Sequence, residues 1–243
     1  MPPLLEKTIM LESLVHLDQQ LLLLLNGSDS LYWDGFWVSI TRVATWIFFY
    51  LFLLLVLLRS YDYRRVGLIV LMVGVAILLA DQGASGICKP LVQRFRPSHE
   101  PALAGLVDLV DGRRGGLYGF FSSHAANGFA ICTLLSLIYR HTWVTLTLVA
   151  YALLSSYSRI YLGLHYPGDI LVGTLWGTLC GLGVYRFYCH LHDRLFPSNS
   201  VQYFSDAYTT SGVLRSDAHL IPMAFSLTLV YVCFRALFYA IYH

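Results

Sequence analysis

Six apolar stretches, at residues 43–59, 66–88, 124–140, 142–161, 168–189 and 220–242, decide most of what this chain can become. Each approaches the roughly 20 residues that a helix needs to cross the hydrocarbon core of a bilayer. The expected fold is therefore all-α, a polytopic membrane helix bundle of about six transmembrane helices. With 57% of residues hydrophobic and 12% charged, little chain remains for a separate soluble domain. Residues 1–243 read as one membrane-embedded domain, with a core at 43–189 and an extra C-terminal span at 220–242.

Upstream of the spans, residues 4–25 mix apolar side chains with Glu6, Lys7, Glu12, His16 and Asp18. That pattern suits an N-terminal interfacial amphipathic helix better than a crossing, and Asn26-Gly27 is a natural stop. Residues 34–40, with Trp33 just before them and Trp37 among them, suggest a second short helix at headgroup level, where Trp is favoured. The first ten residues lack a basic region followed by an apolar run and a cleavage site, so no cleavable signal peptide is expected. The five cysteines, Cys88, Cys132, Cys180, Cys189 and Cys233, show no CxxC spacing and read as buried small hydrophobes.

Charge orients the bundle. Arg59, Arg64 and Arg65 follow the first span, Arg140 follows the third, and Arg186 and Arg194 lie at and beyond the end of the fifth. The positive-inside rule assigns all of them to the cytoplasmic side. Three polar clusters, Lys89 to Pro97, Ser122 to His124 and Arg159 to Asp169, then fall together on the outer side. Net charge is only +2 and lysine occurs just at Lys7 and Lys89, which gives no support to nucleic-acid binding.

The clusters contain the parts of a phosphate-handling site. Ser122 and Ser123 stand where the third span starts, so one of them is a natural N-cap and free N–H groups there attract phosphate oxygens. Pro167 suits the first turn of the fifth span, placing His165 just outside that helix and Asp169 within its first turn. Asp169 can then fix the tautomer of His165, leaving the other ring nitrogen free to attack. Lys89, Arg96 and Arg159 supply charge-assisted bonds to phosphoryl oxygens. His124 is positioned to protonate a leaving oxygen.

Lys89 to Pro97 fits KxxxxxxRP, and Ser158 to Asp169 fits SRxxxxxHxxxD. Across residues 43–189 the chain resembles the type 2 phosphatidic acid phosphatase superfamily. The family's middle motif, PSGH, aligns with Phe121, Ser122, Ser123 and His124, so Phe121 and Ser123 depart from it. The resemblance implies His165 as the nucleophile that forms a phosphohistidine, Asp169 as its orienting partner and His124 as the acid. It implies phosphate binding by Lys89, Arg96, Ser122, Ser123 and Arg159. It implies no metal and no cofactor, and a membrane lipid phosphate as substrate.

Other features have plainer readings. Asp81 within the second span is expected to make a structural hydrogen bond. Gly173, Gly177 and Gly181 suit close helix packing inside the bundle. Arg94 reads as peripheral. The loop at 97–121 either covers the site, grips a headgroup or is simply solvated. His190 and His192 lack companions for a metal site, and residues 190–218 show no pattern.

The expected activity is hydrolysis of an exposed phosphate of an envelope lipid, with the site facing the periplasm or outside. Undecaprenyl diphosphate is the first expectation and lipid A, at its 1- or 4'-phosphate, a close second. Phosphatidylglycerol phosphate, phosphatidate, and a non-catalytic phospholipid-binding or transport role stay open. A vanadate-dependent haloperoxidase would share the anion site but belongs to soluble proteins.

Overall fold

The computed structural model describes residues 3–196 and 208–243, and among them every regular element is helical. In chain order the α-helices are α1 (Pro3–Leu25), α2 (Leu31–Ile40), α3 (Ile47–Ser60), α4 (Tyr63–Asp81), α5 (Lys89–Val92), α6 (Ser123–Tyr139), α7 (Thr142–Tyr161), α8 (Pro167–Leu195), α9 (Arg215–Ala218) and α10 (Leu220–Tyr242). A 3₁₀ turn at Val43–Trp46 leads into α3, and a π-helix at Gln82–Cys88 joins α4 to α5. The result is the multi-pass membrane bundle that the apolar stretches require.

Four continuous helical segments are long and apolar enough to cross a membrane: Val43–Ser60, Tyr63–Val92, Pro167–Leu195 and Arg215–Tyr242. The expectation was about six, and the difference lies in α6 and α7. The former is 17 residues long, and the latter carries three threonines and three serines. Their surroundings explain this. The middle helix α6 packs against α4, α7 and α8, and its Ala126, Ala130 and Leu134 are completely buried. A helix wrapped by protein need not present a continuous apolar surface to lipid.

Backbone contact between α6 and α8 holds the centre. A Cβ built on Gly173 would sit 2.6 Å from Ser122 O, and one on Gly177 would sit 2.1 Å from Ala126 O. On Gly181 it would meet Ala130 O at 2.8 Å. The three glycines therefore serve packing within the bundle, as their four-residue spacing suggests.

The N-terminal helix is stitched to the same end of the bundle as the polar clusters. Asn26 Nδ2 donates to Tyr161 O at 2.7 Å and to Asp108 O at 3.0 Å, joining the end of α1 to α7 and to the loop. The short helix expected at 34–40 is α2, and Trp37 lies on it. Its ring packs edge-on against Tyr157 at 4.7 Å, inside the contact between α2 and α7.

Two smaller expectations change. Helix α8 continues six residues past 189, so the start of the patternless 190–218 stretch is helical; its residues 197–207 lie outside the described ones. All five cysteines are free, but only Cys132 is buried, while Cys233 is exposed along α10.

Candidate active site

The three clusters meet at one end of the bundle because helix polarity delivers them there. The second span ends at α5, α6 begins at Ser123, α7 ends at Tyr161 and α8 begins at Pro167. Each helix end contributes one part.

At the start of α8, Asp169 is fully buried and heavily bonded. Its Oδ2 accepts the Tyr166 N–H at 3.1 Å, closing the helix N-terminus, and lies 3.4 Å from His165 Nδ1. Its backbone carbonyl accepts the Ser122 N–H at 3.1 Å, tying α8 to the first turn of α6. The second face of the His165 ring meets Arg96, whose Nη1 is 3.2 Å from His165 Nε2. A guanidinium can only donate. Nε2 is therefore the unprotonated nitrogen and Nδ1 carries the proton toward Asp169.

The electrostatics keep the ring neutral. Burial pushes the His165 imidazole well below its ordinary value, and the charges of Arg96, Arg159 and Lys89 push in the same direction. A neutral ring keeps a lone pair on Nε2 at neutral pH, which is what nucleophilic attack needs. Arg96 is itself held by Leu164 O at 3.2 Å and Tyr118 O at 3.3 Å. Burial lowers its value, with Asp169 acting against the shift.

The cation on the second span is placed by the π-helix. Lys89 Nζ donates to Ser85 Oγ at 3.1 Å and makes a short bond to Ser123 Oγ. Ser85 in turn donates to Asp81 Oδ1 at 3.3 Å, which gives that buried-span carboxylate the structural partner expected for it. Asp81, Ser85 and Lys89 follow one another at four-residue steps, which sets them in one row along the helix.

Ser122 and Ser123 separate in role. Ser122 is completely buried and its Oγ caps α6 by accepting the Ala125 N–H at 3.4 Å. Ser123 turns toward Lys89. His124, the next residue, lies on the wall of a cavity of about 450 Å³ together with Thr41. Thr41 Oγ1 accepts from Arg159 Nη1 at 2.8 Å, while Arg159 Nε is buried without a partner. Phe121 is buried against Trp176 at 6.2 Å, in the core rather than toward the phosphate groups.

Arg94 is not peripheral. Its Nη1 donates to Asp169 Oδ1 at 3.1 Å, its Nη2 to Asp18 Oδ2 at 2.7 Å, and its guanidinium stacks 3.9 Å above the Tyr166 ring. The signal for it was in the chain. Arg94 and Arg96 are two residues apart in an extended stretch that pairs with Tyr118, so they point to the same side. Asp18 also accepts the Gly168 N–H at 2.7 Å. Gly119 is a further missed position, since a Cβ there would lie 3.1 Å from Arg96 Cγ and 3.2 Å from Asp169 Oδ2.

The 97–121 loop folds on itself and packs on the bundle, with Asp108, Asp111 and Arg114 exposed. Ser98 Oγ donates to Arg114 O at 2.6 Å, and Val110 packs with Leu162 and Leu164 beside His165. Among the described residues no three His, Cys, Asp or Glu side chains converge in a metal-ligating group.

Known proteins resemble this chain. Residues 66–192 match the family model of the PAP2 superfamily. A lipid A 4'-phosphatase of Bacteroides thetaiotaomicron is 40% identical over 184 residues, covering 75% of this chain and 80% of that protein. A lipid A 4'-phosphatase of Porphyromonas gingivalis is 32% identical over 217 residues, covering 89% and 92%. The crystal structure of Aquifex aeolicus LpxE superposes with a TM-score of 0.53 at 26% identity, covering 70% of this chain and 95% of that one. The chain belongs to the PAP2 superfamily and is a membrane-embedded phosphoric-ester hydrolase.

Proposed function

We propose that this enzyme removes the 4'-phosphate of lipid A through a phosphohistidine at His165. The observation that carries the reading is the clamping of His165, with Nδ1 against Asp169 and Nε2 against Arg96, within a chain whose two relatives above are lipid A 4'-phosphatases. Nε2 attacks phosphorus and the ester P–O bond breaks. His124 takes up a proton brought in by the phosphate group and gives it to the leaving sugar oxygen. Asp169 stabilises the charge that develops on the ring. Water then attacks phosphorus, His124 takes its proton, the P–N bond breaks and inorganic phosphate leaves.

Lys89, Arg96, Arg159 and Ser123 bind the phosphoryl oxygens, and Ser122 contributes by fixing the helix N-terminus that faces them. No step calls on a metal or cofactor. The whole of 1–243 acts as one membrane domain, with α1 lying at the interface and α10 added to the 43–189 core. A periplasmic site is supported by Arg59, Arg64, Arg65, Arg140 and Arg194, which sit at the helix ends opposite the site, the cytoplasmic ends by the positive-inside rule.

Undecaprenyl diphosphate, the first expectation from sequence, is named by neither relative, and lipid A takes precedence. The test is phosphate release by the purified protein in detergent from lipid A, undecaprenyl diphosphate and phosphatidate, with His165→Ala and a chelator as controls. Preferred release from the lipid A 4'-position, lost in His165→Ala, is expected. Preference for the diphosphate would overturn the substrate, and equal release by His165→Ala would overturn the mechanism.

A further inference from the structure

The cavity beneath His124 is built for more than a phosphate. From its mouth at Thr41 and His124 it runs between α3, α4, α6 and α7 to Leu57 and Leu135, with almost wholly apolar walls. His124 and Leu135 are eleven residues apart on α6, which spans about 16 Å, close to half of a hydrocarbon core about 30 Å thick. That is the depth of one leaflet. Val43, at the start of the α3 span, and Val70, on α4, are on its wall and each more than half exposed, so the space opens sideways.

The apolar wall is interrupted by polar groups at one depth. Asn127 lies three residues after His124 on α6, and Ser155 lies four residues before Arg159 on α7, so both stand one turn inward from the site. Asn127 Oδ1 is buried with no hydrogen-bond partner. One turn deeper, Tyr50 and Tyr151 satisfy each other through their hydroxyls at 2.6 Å. A buried carbonyl oxygen without a donor costs free energy, and an occupant that supplies an O–H removes that cost.

We propose that this cavity seats one acyl chain of the phosphorylated lipid and that Asn127, with Ser155 beside it, recognises a hydroxyl on that chain near its carbonyl end. The inference rests on the lipid-phosphatase reading and deepens it. The phosphate group is held by the residues above the cavity, the chain descends past His124, and the hydroxyl donates to Asn127 Oδ1 before the chain enters the apolar part.

The test compares two synthetic glucosamine 4-phosphates whose acyl chains are 3-hydroxytetradecanoyl or plain tetradecanoyl. Wild type is expected to favour the hydroxylated lipid in kcat/KM by roughly 3- to 10-fold, the range of one net hydrogen bond. Asn127→Leu brings that ratio to about one, and Val73→Trp, which fills the cavity, lowers the ratio of long-chain lipid to p-nitrophenyl phosphate turnover. No preference in wild type, or a preference that survives Asn127→Leu, overturns the hydroxyl recognition. The seat itself is read without turnover: a mid-chain diazirine on the hydroxylated lipid, irradiated with His165→Ala protein, labels cavity residues of α3, α4 or α6. Label confined to the outer surface overturns the seat, while loss of phosphate release from every lipid would count against the proposed function alone.

Discussion

Arg94 holds Asp169 from the side opposite His165, its Nη1 donating to Oδ1 at 3.1 Å while the imidazole lies 3.4 Å from Oδ2. Its other terminal nitrogen reaches Asp18 on α1 at 2.7 Å. The carboxylate beside His165 is thus itself held, by Arg94 and, through Asp18, by a helix outside the 43–189 core.

Removing Arg94 leaves a fully buried carboxylate short of one charged donor. Arg94→Gln is expected to lower kcat by roughly 10- to 100-fold, since a hydrogen bond to a charged group contributes about 1.5–3 kcal/mol. KM for a soluble aryl phosphate changes little, because the phosphate contacts stay in place. Asp18→Asn produces a smaller loss of the same kind. A mutant that raises KM with kcat intact would make Arg94 a phosphate ligand instead of a positioning residue.

His124 and His165 separate by leaving group. His124→Ala is expected to slow phosphorylation of His165 by lipid substrates by about 100-fold or more, the usual worth of general acid catalysis, yet to spare the p-nitrophenol burst from p-nitrophenyl phosphate, whose leaving oxygen needs no proton. His165→Ala abolishes both, together with the acid-labile phosphoprotein that a rapid quench of wild type contains. Equal losses on both substrates for His124→Ala would remove it from the acid role.

Much of this was legible in the sequence, for identifiable reasons. Apolar length located the helices, and α7 and α10 begin and end where the pattern puts them, because hydrocarbon imposes a fixed length. Spacing within Arg159 to Asp169 located the His165 and Asp169 pair, because four residues across a helix start are local geometry. What stayed hidden depends on partners distant in the chain. Asp18 meets Arg94 across 76 residues and Gly119 owes its small size to Arg96 and Asp169, and no local pattern encodes either. The chain also hid the π-turn at Gln82–Cys88, since a π-turn has no composition of its own.

The glycine row on α8 supplies a graded test of packing. Gly177→Ala places a methyl group 2.1 Å from Ala126 O, backbone that cannot turn aside. Overpacking of this sort costs about 1–3 kcal/mol. Gly183→Ala, six residues on, has nothing within 4 Å and serves as the control. Thermal unfolding in detergent is expected to fall for the first and to hold or rise for the second. Equal melting temperatures would mean that α8 can move away from α6 at no cost.

Stability should also report the state of His165. Its value is lowered in the fold, by burial first and by Arg96, Arg159 and Lys89 after it, against about 6.5 in an unfolded chain. The unfolded state therefore binds a proton that the folded state refuses, and stability rises with pH wherever that difference exists. Above about pH 7 both states are neutral at this site and the contribution is complete; as pH falls through the unfolded value toward the folded one it is lost. Unfolding temperatures measured from pH 8 to 5 are expected to stay level and then decline below about 6.5, and His165→Gln, which has no proton to bind, makes the decline shallower. The decisive quantity is the difference in slope between the two proteins: parallel curves would mean that His165 is protonated alike in both states, and the neutral nucleophile beside Arg96 would have to be abandoned.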